Sequence, residues 1–247
     1  MSTVRDRAAW LKGPAFQCAE PPPAVNRAWR LILLGAPGVG KGTQAELLSS
    51  RLQACHLSTG DVFRAAKNLT ECERSPAMNA ALDFMRRGEL VPDTTVLEMV
   101  RERVGCLTCG GGFLLDGFPR TVAQAEALQQ ILAEQEIKLD GVLSYELPIA
   151  EIVERLSGRR TCTKCKAVFH VTARPPRREG VCDGCGGALI QREDVRPESI
   201  RVRMAEYAKS TAPLTEYYRR QKLLVRIPAT GTPEEIRDRA LAALQGG

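Results

Sequence analysis

One segment limits the fold of this chain more than any other: the ten residues GAPGVGKGTQ at positions 35–44. The apolar run 31–34 precedes it, and Ala45, Leu48 and Leu52 follow it at helical spacing. In this order of strand, glycine-rich loop and helix, backbone N–H groups converge on phosphate oxygens at the start of the helix. The sequence therefore predicts a phosphate-binding loop between a buried strand and a helix.

The predicted loop combines glycines with one cation. The glycines let the backbone bend around a phosphate, and they are Gly35, Gly38, Gly40 and Gly42. Lys41 would add a full positive charge to a transferring phosphoryl group. The loop departs from the usual pattern, because Gly42 follows the lysine and the hydroxyl belongs to Thr43. Direct coordination of Mg²⁺ by that hydroxyl is therefore left open.

Four apolar runs predict buried strands, and helical patterns separate them. The runs are 31–34, 113–115, 142–147 and 223–227. Strands that alternate with helices indicate a parallel sheet covered on both faces. Near the end of the chain, Thr232 and Glu235 form a capping box with Pro233 at the first helical position. We expect an α/β fold that closes with a C-terminal helix.

Residues 1–29 differ in character from the rest of the chain. They contain a run of three prolines and no sustained period, which predicts a flexible extension. A weak organellar transit peptide is the alternative, because Arg5, Arg7 and Lys12 accompany few acids.

Composition narrows the class of protein. A chain of 247 residues with 44% hydrophobic content fits one compact domain with small insertions. No run approaches the roughly 18 apolar residues of a membrane span. The net charge of +6 suits nucleic acid or an acidic small molecule, and scattered arginines favour a nucleotide. Nine cysteines without a recognisable secretory signal indicate a reducing cytoplasm.

Four cysteines follow the pattern C-x2-C-x16-C-x2-C, and they are Cys162, Cys165, Cys182 and Cys185. This spacing is typical of a zinc ribbon, in which two tight turns bring four thiolates to a tetrahedron. Because four sulfurs leave no open position, we expect a structural Zn²⁺. Free or disulfide-bonded thiols are the alternative, and iron could replace zinc. A separate pair, Cys106 and Cys109, is interpreted as loop thiols, with a redox or second metal role as the alternative.

Asp116 follows the apolar run 113–115. It should therefore lie at the carboxyl end of a parallel strand, where open α/β sheets bind ligands. Mg²⁺ keeps several waters and needs one or two carboxylates besides phosphates. We expect Asp116 to hold Mg²⁺ through water, and a simple turn cap is the alternative.

Three segments at their present spacing resemble the adenylate kinase family, namely GAPGVGKGT, HLSTGDVFR and GGFLLDGFPRT. The resemblance extends from about Arg30 onward and is to the long form with a large lid. It implies a P-loop NTPase-like, doubly wound, parallel five-stranded sheet, a helical AMP-binding insertion and a small zinc-ribbon lid. It also implies Mg-dependent, reversible transfer, ATP + AMP = 2 ADP, with lid closure excluding water.

The resemblance divides the chain into parts. These are the extension 1–29, a P-loop core over 30–57, 92–157 and 196–247, the AMP-binding insertion 58–91 and the lid 158–195. Family members usually carry a second acid after Asp194, whereas Val195 stands here. An interdomain charge contact is therefore expected to be missing.

The resemblance also assigns the acceptor site. Thr59 would lie near the adenine of AMP, Arg64 and Arg120 would hold its phosphate, and Gln124 would read the adenine edge. The full predicted AMP-binding set is Thr59, Arg64, Glu89, Leu90, Val91, Gly117, Phe118, Pro119, Arg120, Gln124, Arg192 and Arg203.

The donor site follows from the same resemblance. The predicted ATP-binding set is Gly38, Val39, Gly40, Lys41, Gly42, Thr43, Arg155, Arg159, Val168, Phe169 and Thr232. The predicted catalytic residues are Lys41, Arg120, Arg159, Arg192 and Arg203. Phosphoryl transfer needs alignment and positive charge, so no protein nucleophile is expected.

Two rival functions remain open at this point. A UMP or CMP kinase is disfavoured, because those relatives usually carry alanine at the position of Thr59 and have a short lid. A nucleic-acid-binding zinc-ribbon protein would need exposed aromatics or a basic stripe, and aromatic content is 5%. The predicted partners are ATP, AMP and ADP, without nucleic acid or a membrane, and the predicted state is a cytoplasmic monomer.

Overall fold

The computed structural model describes residues 8–13, 15, 27–87, 91–165, 167–172, 174–191 and 197–245. The strands are β1 (Trp29–Gly35), β2 (Cys55–Ser58), β3 (Gly112–Asp116), β4 (Gly141–Glu146), β5 (Arg159–Cys162), β6 (Val168–His170), β7 (Leu189–Ile190) and β8 (Leu224–Pro228).

Helices connect these strands. The α-helices are α1 (Ala8–Lys12), α2 (Lys41–Leu52), α3 (Thr59–Ala66), α4 (Pro76–Arg86), α5 (Asp93–Arg101), α6 (Val104–Leu107), α7 (Val122–Glu134), α8 (Ile149–Ser157), α9 (Pro197–Glu206), α10 (Pro213–Arg220) and α11 (Pro233–Gln245). A 3₁₀ turn lies at Glu71–Glu73, and a π-helical turn at Tyr207–Thr211 joins α9 to α10.

The main sheet has five parallel strands in the order β2-β3-β1-β4-β8. Strand β1 is central, so its last residue, Gly35, lies between the carboxyl ends of β3 and β4. This is the edge of an open α/β sheet at which ligands bind. The predicted α/β class and the parallel five-stranded sheet are confirmed.

The continuous apolar run of β1 is explained by burial on both faces of the sheet. Because side chains alternate along a strand, Ile32 and Leu34 enter one apolar cluster and Leu31 and Leu33 enter another. The first cluster includes residues of α3, α4 and α7, whereas the second includes residues of α2 and α11. Helices therefore cover both faces, as in a doubly wound fold.

Strand β2 lies at one edge of the sheet and pairs with β3. Its sequence, CHLS, contains a histidine and a serine and formed no apolar run. The apolar runs thus identify four of the five strands.

The C-terminal helix begins at Pro233, as the capping box predicted. The N–H of Thr232 donates to Glu235 Oε2 at 2.8 Å, and the N–H of Glu235 donates to Thr232 Oγ1 at 3.3 Å. Both bonds satisfy N–H groups that a helix start leaves without intrahelical partners.

Residues 8–12 differ from the expected flexible extension over 1–29, because they form α1 with Trp10 buried against the protein. The contacts of Trp10 span distant parts of the chain, which explains why local sequence pattern did not reveal them.

A smaller antiparallel sheet follows α8, with the order β6-β5-β7. Its apolar cluster contains Cys162, Phe169 and Cys182, with Ala167 and Leu189 packed against it. Among the described residues, no helix combines the length and apolarity needed to cross a membrane.

Candidate active site

The phosphate-loop segment leaves β1 at Gly35 and enters α2 at Lys41. Gly40 caps α2 in the left-handed region, with φ of 105°. Gly38 also has a positive φ, 87°, and a Cβ there would lie 2.5 Å from Leu156 Cγ. Both positions therefore favour glycine for steric reasons. The loop packs closely on α8 and opens at the start of α2, as a phosphate-binding loop requires.

Lys41 folds back onto its own loop. Its Nζ donates to the carbonyl oxygens of Gly35 and Ala36, the second at 3.0 Å. Burial lowers the pKa of Lys41 to about 8, with Asp116 opposing the shift and the charges of Arg120 and Arg203 adding to it. Three cations and one carboxylate therefore share the cleft beside the loop.

Asp116 is the last residue of β3 and lies across from the start of α2. Its Oδ2 is 3.3 Å from Nε2 of His56 on β2. Burial raises the pKa of the Asp116 carboxyl, but the hydrogen bond from His56 and the charge of Lys41 outweigh it, so the pKa is below its ordinary value. Asp116 is therefore ionised at neutral pH and available to a cation.

His56 was not singled out from the sequence. It stands in HLSTGD, one of the segments that carry the family resemblance, but the residues around it do not show that it faces an acid. Only the parallel pairing of β2 with β3 places its ring beside Asp116.

The predicted acceptor residues begin where β2 passes into α3. Ser58 caps α3 by accepting from the N–H of Asp61 at 3.3 Å. Thr59 is buried and donates from Oγ1 to the carbonyl oxygen of Gly117 at 3.0 Å. That oxygen also accepts from Nε of Arg120 at 2.8 Å. The strand ends of β2 and β3 are thus tied together beside the cleft.

Arg64 forms an ion pair with Asp61, one turn earlier on α3. The side chain of Arg64 is about half exposed. Val91 is half-buried before α5. Phe118 and Pro119 are buried within the loop that follows β3.

Gln124 is buried, and both ends of its amide bind the protein. Its Oε1 accepts from the N–H of Arg120 at 2.8 Å, and its Nε2 donates to Asp93 Oδ1 at 2.6 Å. Asp93 accepts in addition from Thr121 Oγ1 at 2.7 Å. The amide keeps one further N–H and one further lone pair. Sequence reasoning missed Asp93, whose local signal is an acid in the first turn of α5.

Arg155 and Thr232, two of the predicted donor-site residues, lie at the loops beside the sheet. Arg155 on α8 donates to the carbonyl oxygens of Val39, at 3.4 Å, and Ala229, at 2.9 Å. It therefore links the phosphate loop to the segment after β8, where Thr232 caps α11.

Other predicted residues belong to the small sheet and to α9. Arg159 begins β5, opposite His170. Arg203 lies on α9 and influences Lys41 electrostatically. Val168 is exposed on β6, whereas its neighbour Phe169 is buried in the cluster with Cys162 and Cys182. Several residues singled out from the sequence fall outside the described ranges, namely Glu89, Leu90, Arg192, Asp194 and Val195.

The four cysteines of the repeated pattern converge in the small sheet. Their sulfurs lie within 4.8 Å of one another, with Cys162 and Cys185 at 3.4 Å and Cys165 and Cys182 at 3.5 Å. A disulfide would require about 2.05 Å. Four sulfurs at about 2.3 Å from one Zn²⁺ would be separated by about 3.8 Å. The group is arranged so that it could hold a metal ion.

Cys109, from the other CxxC pair, lies elsewhere. Its Sγ is 3.9 Å from Sγ of Cys55 at the start of β2. This contact joins the loop before β3 to the edge strand that pairs with β3.

A glycine loop with a lysine at a helix start, an ionised acid at the neighbouring strand end and arginines around one cleft define a P-loop phosphotransferase. Comparison with known proteins gives the particular group. The family model described as "Adenylate kinase" matches residues 33–223. The chain belongs to the adenylate kinase family, and it is a nucleoside monophosphate kinase.

Similar proteins named adenylate kinase cover most of the chain. The protein of Caldicellulosiruptor saccharolyticus is 53% identical over 210 residues, 85% of this chain and 94% of that protein. The protein of Carboxydothermus hydrogenoformans is 50% identical over 84% of this chain and 95% of its own length. The protein of Streptomyces coelicolor is 47% identical over 87% of this chain and 98% of its own length.

Proposed function

We propose that this chain catalyses reversible, Mg-dependent phosphoryl transfer between ATP and AMP, giving two ADP. The observation that carries the proposal is the cleft at the end of the central strand, where Lys41, Asp116, Arg120 and Arg203 share one electrostatic environment. Family membership supports AMP as the acceptor.

Residues 38–43 would hold the donor phosphates through their backbone N–H groups. Lys41 would leave the carbonyl oxygens that it now contacts and bind the transferring phosphoryl group. Its pKa of about 8 keeps it protonated at neutral pH, and a triphosphate would raise that pKa further. Arg155 would support the donor side by fixing the loop against the segment that leads to Thr232.

Asp116 would hold Mg²⁺ through water, because it is ionised and faces the start of α2. The donor set fits Mg²⁺, which prefers oxygen ligands and retains several waters. Bound together with ATP, Mg²⁺ would neutralise charge on the phosphate oxygens. His56 would help to keep the carboxylate ionised and oriented.

AMP would bind on the side of the cleft formed by α3 and the loop after β3. Thr59, Val91 and Gln124 would contact the adenine, and Arg64 and Arg120 would bind the phosphate. Gln124 retains one donor and one acceptor for this role. Glu89 and Leu90, which lie outside the described residues, complete the proposed adenine pocket, and 117–119 would line it.

Arg159 of β5, Arg203 of α9 and Arg192, which lies outside the described residues, would surround the transferring phosphoryl group when the lid closes. These three arginines are the proposed clamp, and Val168 and Phe169 would lie over the ATP adenine. Spreading positive charge over the moving group lowers the barrier, and expelling water removes a competing acceptor.

The four cysteines of the small sheet are proposed to bind a structural Zn²⁺. The separations of their sulfurs match a tetrahedral site better than a disulfide. The metal would stabilise a lid whose own apolar cluster is small. We further propose that the enzyme acts in the cytoplasm as a monomer on ATP, AMP and ADP, without nucleic acid or a membrane.

A coupled assay with ATP and each nucleoside monophosphate in turn tests this function. We expect AMP to be strongly preferred over UMP and CMP in kcat/KM. A comparable kcat/KM for UMP or CMP would replace this proposal with a broader monophosphate kinase. Binding of oligonucleotide that weakens with salt, without AMP turnover, would favour a nucleic-acid-binding protein instead.

A further inference from the structure

The N-terminal helix inserts a tryptophan into the body of the enzyme. Trp10 is 1% exposed and is among the largest fully buried side chains of the described chain. It shares an apolar cluster with Val62 and Ala66 of α3 and with Ala77 and Met78 of α4. A short helix would be marginal alone, so its order depends on this burial.

Hydrogen bonds hold both the indole ring of Trp10 and the backbone of α1. The indole Nε1–H of Trp10 donates to the carbonyl oxygen of Ser58 at 3.0 Å. In return, Nε of Arg103 donates to the carbonyl oxygen of Trp10 at 2.7 Å, and Nη1 of Arg103 donates to that of Met99 at 2.8 Å. The side chain of Arg103 is 1% exposed. A buried arginine is rare unless it is paired, and Arg103 is paired, since its Nη1 lies 3.0 Å from Glu102 Oε2. The ion pair offsets the burial of the charge and leaves Nε to hold the backbone of α1.

These contacts join two parts of the molecule. Ser58 caps α3, and Thr59 follows it directly. At the other end of α1, a Cβ placed on Gly13 would lie 3.5 Å from Cβ of Ser75, which caps α4. Helices α3 and α4 belong to the proposed AMP-binding insertion, whereas Arg103 lies between α5 and α6 on the core side. Residues 10–13 therefore lie beside the N-caps of both insertion helices and also contact the core through Arg103.

We propose that Trp10 is a positioning residue for the acceptor nucleotide: α1 holds the start of α3, and so Thr59, in place for AMP. The inference rests on the proposed function for the identity of that nucleotide. Ordering a binding element before the ligand arrives lowers the cost of binding. The phosphate loop, which would bind ATP, packs at a different place, since its Gly38 lies against Leu156 of α8. Loss of Trp10 should therefore weaken AMP binding without weakening ATP binding.

The variants Trp10→Ala and Trp10→Phe test this inference in the full chain. Trp10→Ala should raise both KM and the calorimetric Kd for AMP by about tenfold, the equivalent of roughly 1.4 kcal/mol. KM for ATP and kcat should stay within about twofold. Trp10→Phe keeps a ring but loses the bond to Ser58, so a smaller rise of about threefold is expected. Trp29→Phe is the matched control, because Trp29 is the chain's other tryptophan and lies outside this cluster.

The control variant also tests whether Trp10 is buried, by a fluorescence measurement that does not depend on enzyme activity. In Trp29→Phe the remaining tryptophan, Trp10, should emit at short wavelength and resist acrylamide quenching. An exposed Trp10 overturns the inference even if the enzyme is active. An unchanged Kd for AMP in Trp10→Ala also overturns it. So does an equal loss of affinity for AMP and ATP together with a lower melting temperature, because that result would mean that Trp10 only stabilises the fold. If Trp10→Ala does not fold, Trp10→Phe and removal of residues 1–13 decide by the same criteria. A parent chain that binds no AMP fails the proposed function, and this inference with it.

Discussion

The main sheet and the small cysteine sheet are held together by different forces. In the main sheet, Leu31 to Leu34 are buried on both faces and belong to two large apolar clusters. In the small sheet, the fully buried cluster consists of Cys162, Phe169 and Cys182. Two of these three side chains are thiols. Burial can stabilise the first region, whereas a region of the second size usually needs a metal or disulfides.

The same contrast separates chemistry from stability. The phosphate loop, Asp116 and Arg120 lie at the end of the main sheet, on elements that the large clusters fix. Four sulfurs around a metal leave no open coordination position for substrate. The comparison therefore supports the proposal that catalysis belongs to the core cleft and that a metal at the four cysteines would have a structural task.

The largest effect that would sharpen this contrast is expected at Lys41. Replacing Lys41 with Met should lower kcat by roughly a thousandfold, because one lost electrostatic contact to the transition state costs about that much. Cys165→Ser should leave most of the activity at low temperature. The matched control is Lys138→Met at an exposed position, which should behave as the parent chain. Equal losses in Lys41→Met and Cys165→Ser in the cold would break the comparison.

A somewhat smaller effect is expected on the acceptor side. Arg120→Ala should lower kcat/KM for AMP by roughly a hundredfold, because it removes a charged contact to the acceptor phosphate. Arg86→Ala is a suitable control, since Arg86 is exposed and pairs with Asp83 on the surface. Steady-state kinetics with AMP varied measure both. A loss of kcat/KM below about threefold in Arg120→Ala would show that this arginine takes no part in AMP binding or catalysis.

The smallest effect concerns pH. Lys41 loses its proton as the pH rises through about 8, so kcat/KM for ATP, which reports the free enzyme, should fall above that pH. At saturating ATP, kcat should persist to higher pH, because bound phosphates raise the pKa of the lysine. In Lys41→Arg the alkaline decline in the remaining activity should disappear, since a guanidinium stays charged. An identical alkaline decline in Lys41→Arg would mean that the titration belongs to a group other than Lys41.

The sequence predicted the parts whose information is local. Strand β1, the phosphate loop and the capping box at Thr232 are each encoded by neighbouring residues, and each was found. Strand β2 was not predicted, because this edge strand contains a histidine and a serine and therefore forms no continuous apolar run.

Contacts between distant residues were not predictable in this way. Trp10 bonds to a residue 48 positions away and receives a bond from one 93 positions away. The amide of Gln124 was predicted to face AMP, but its bond to Asp93, 31 positions away, appears only when α5 packs beside α7. The roles assigned to Glu89, Leu90 and Arg192 stay predictions from family resemblance.

The proposed division between a catalytic core and a metal-held lid is tested most directly by removing the metal from the purified protein. The protein is treated with a chelator, and its melting temperature and its activity in the cold are measured before and after zinc is restored. We expect a lower melting temperature, with much of the low-temperature activity retained as long as Mg²⁺ is present. A metal-free protein that melts as before, has lost all activity in the cold and regains it with zinc would contradict this account.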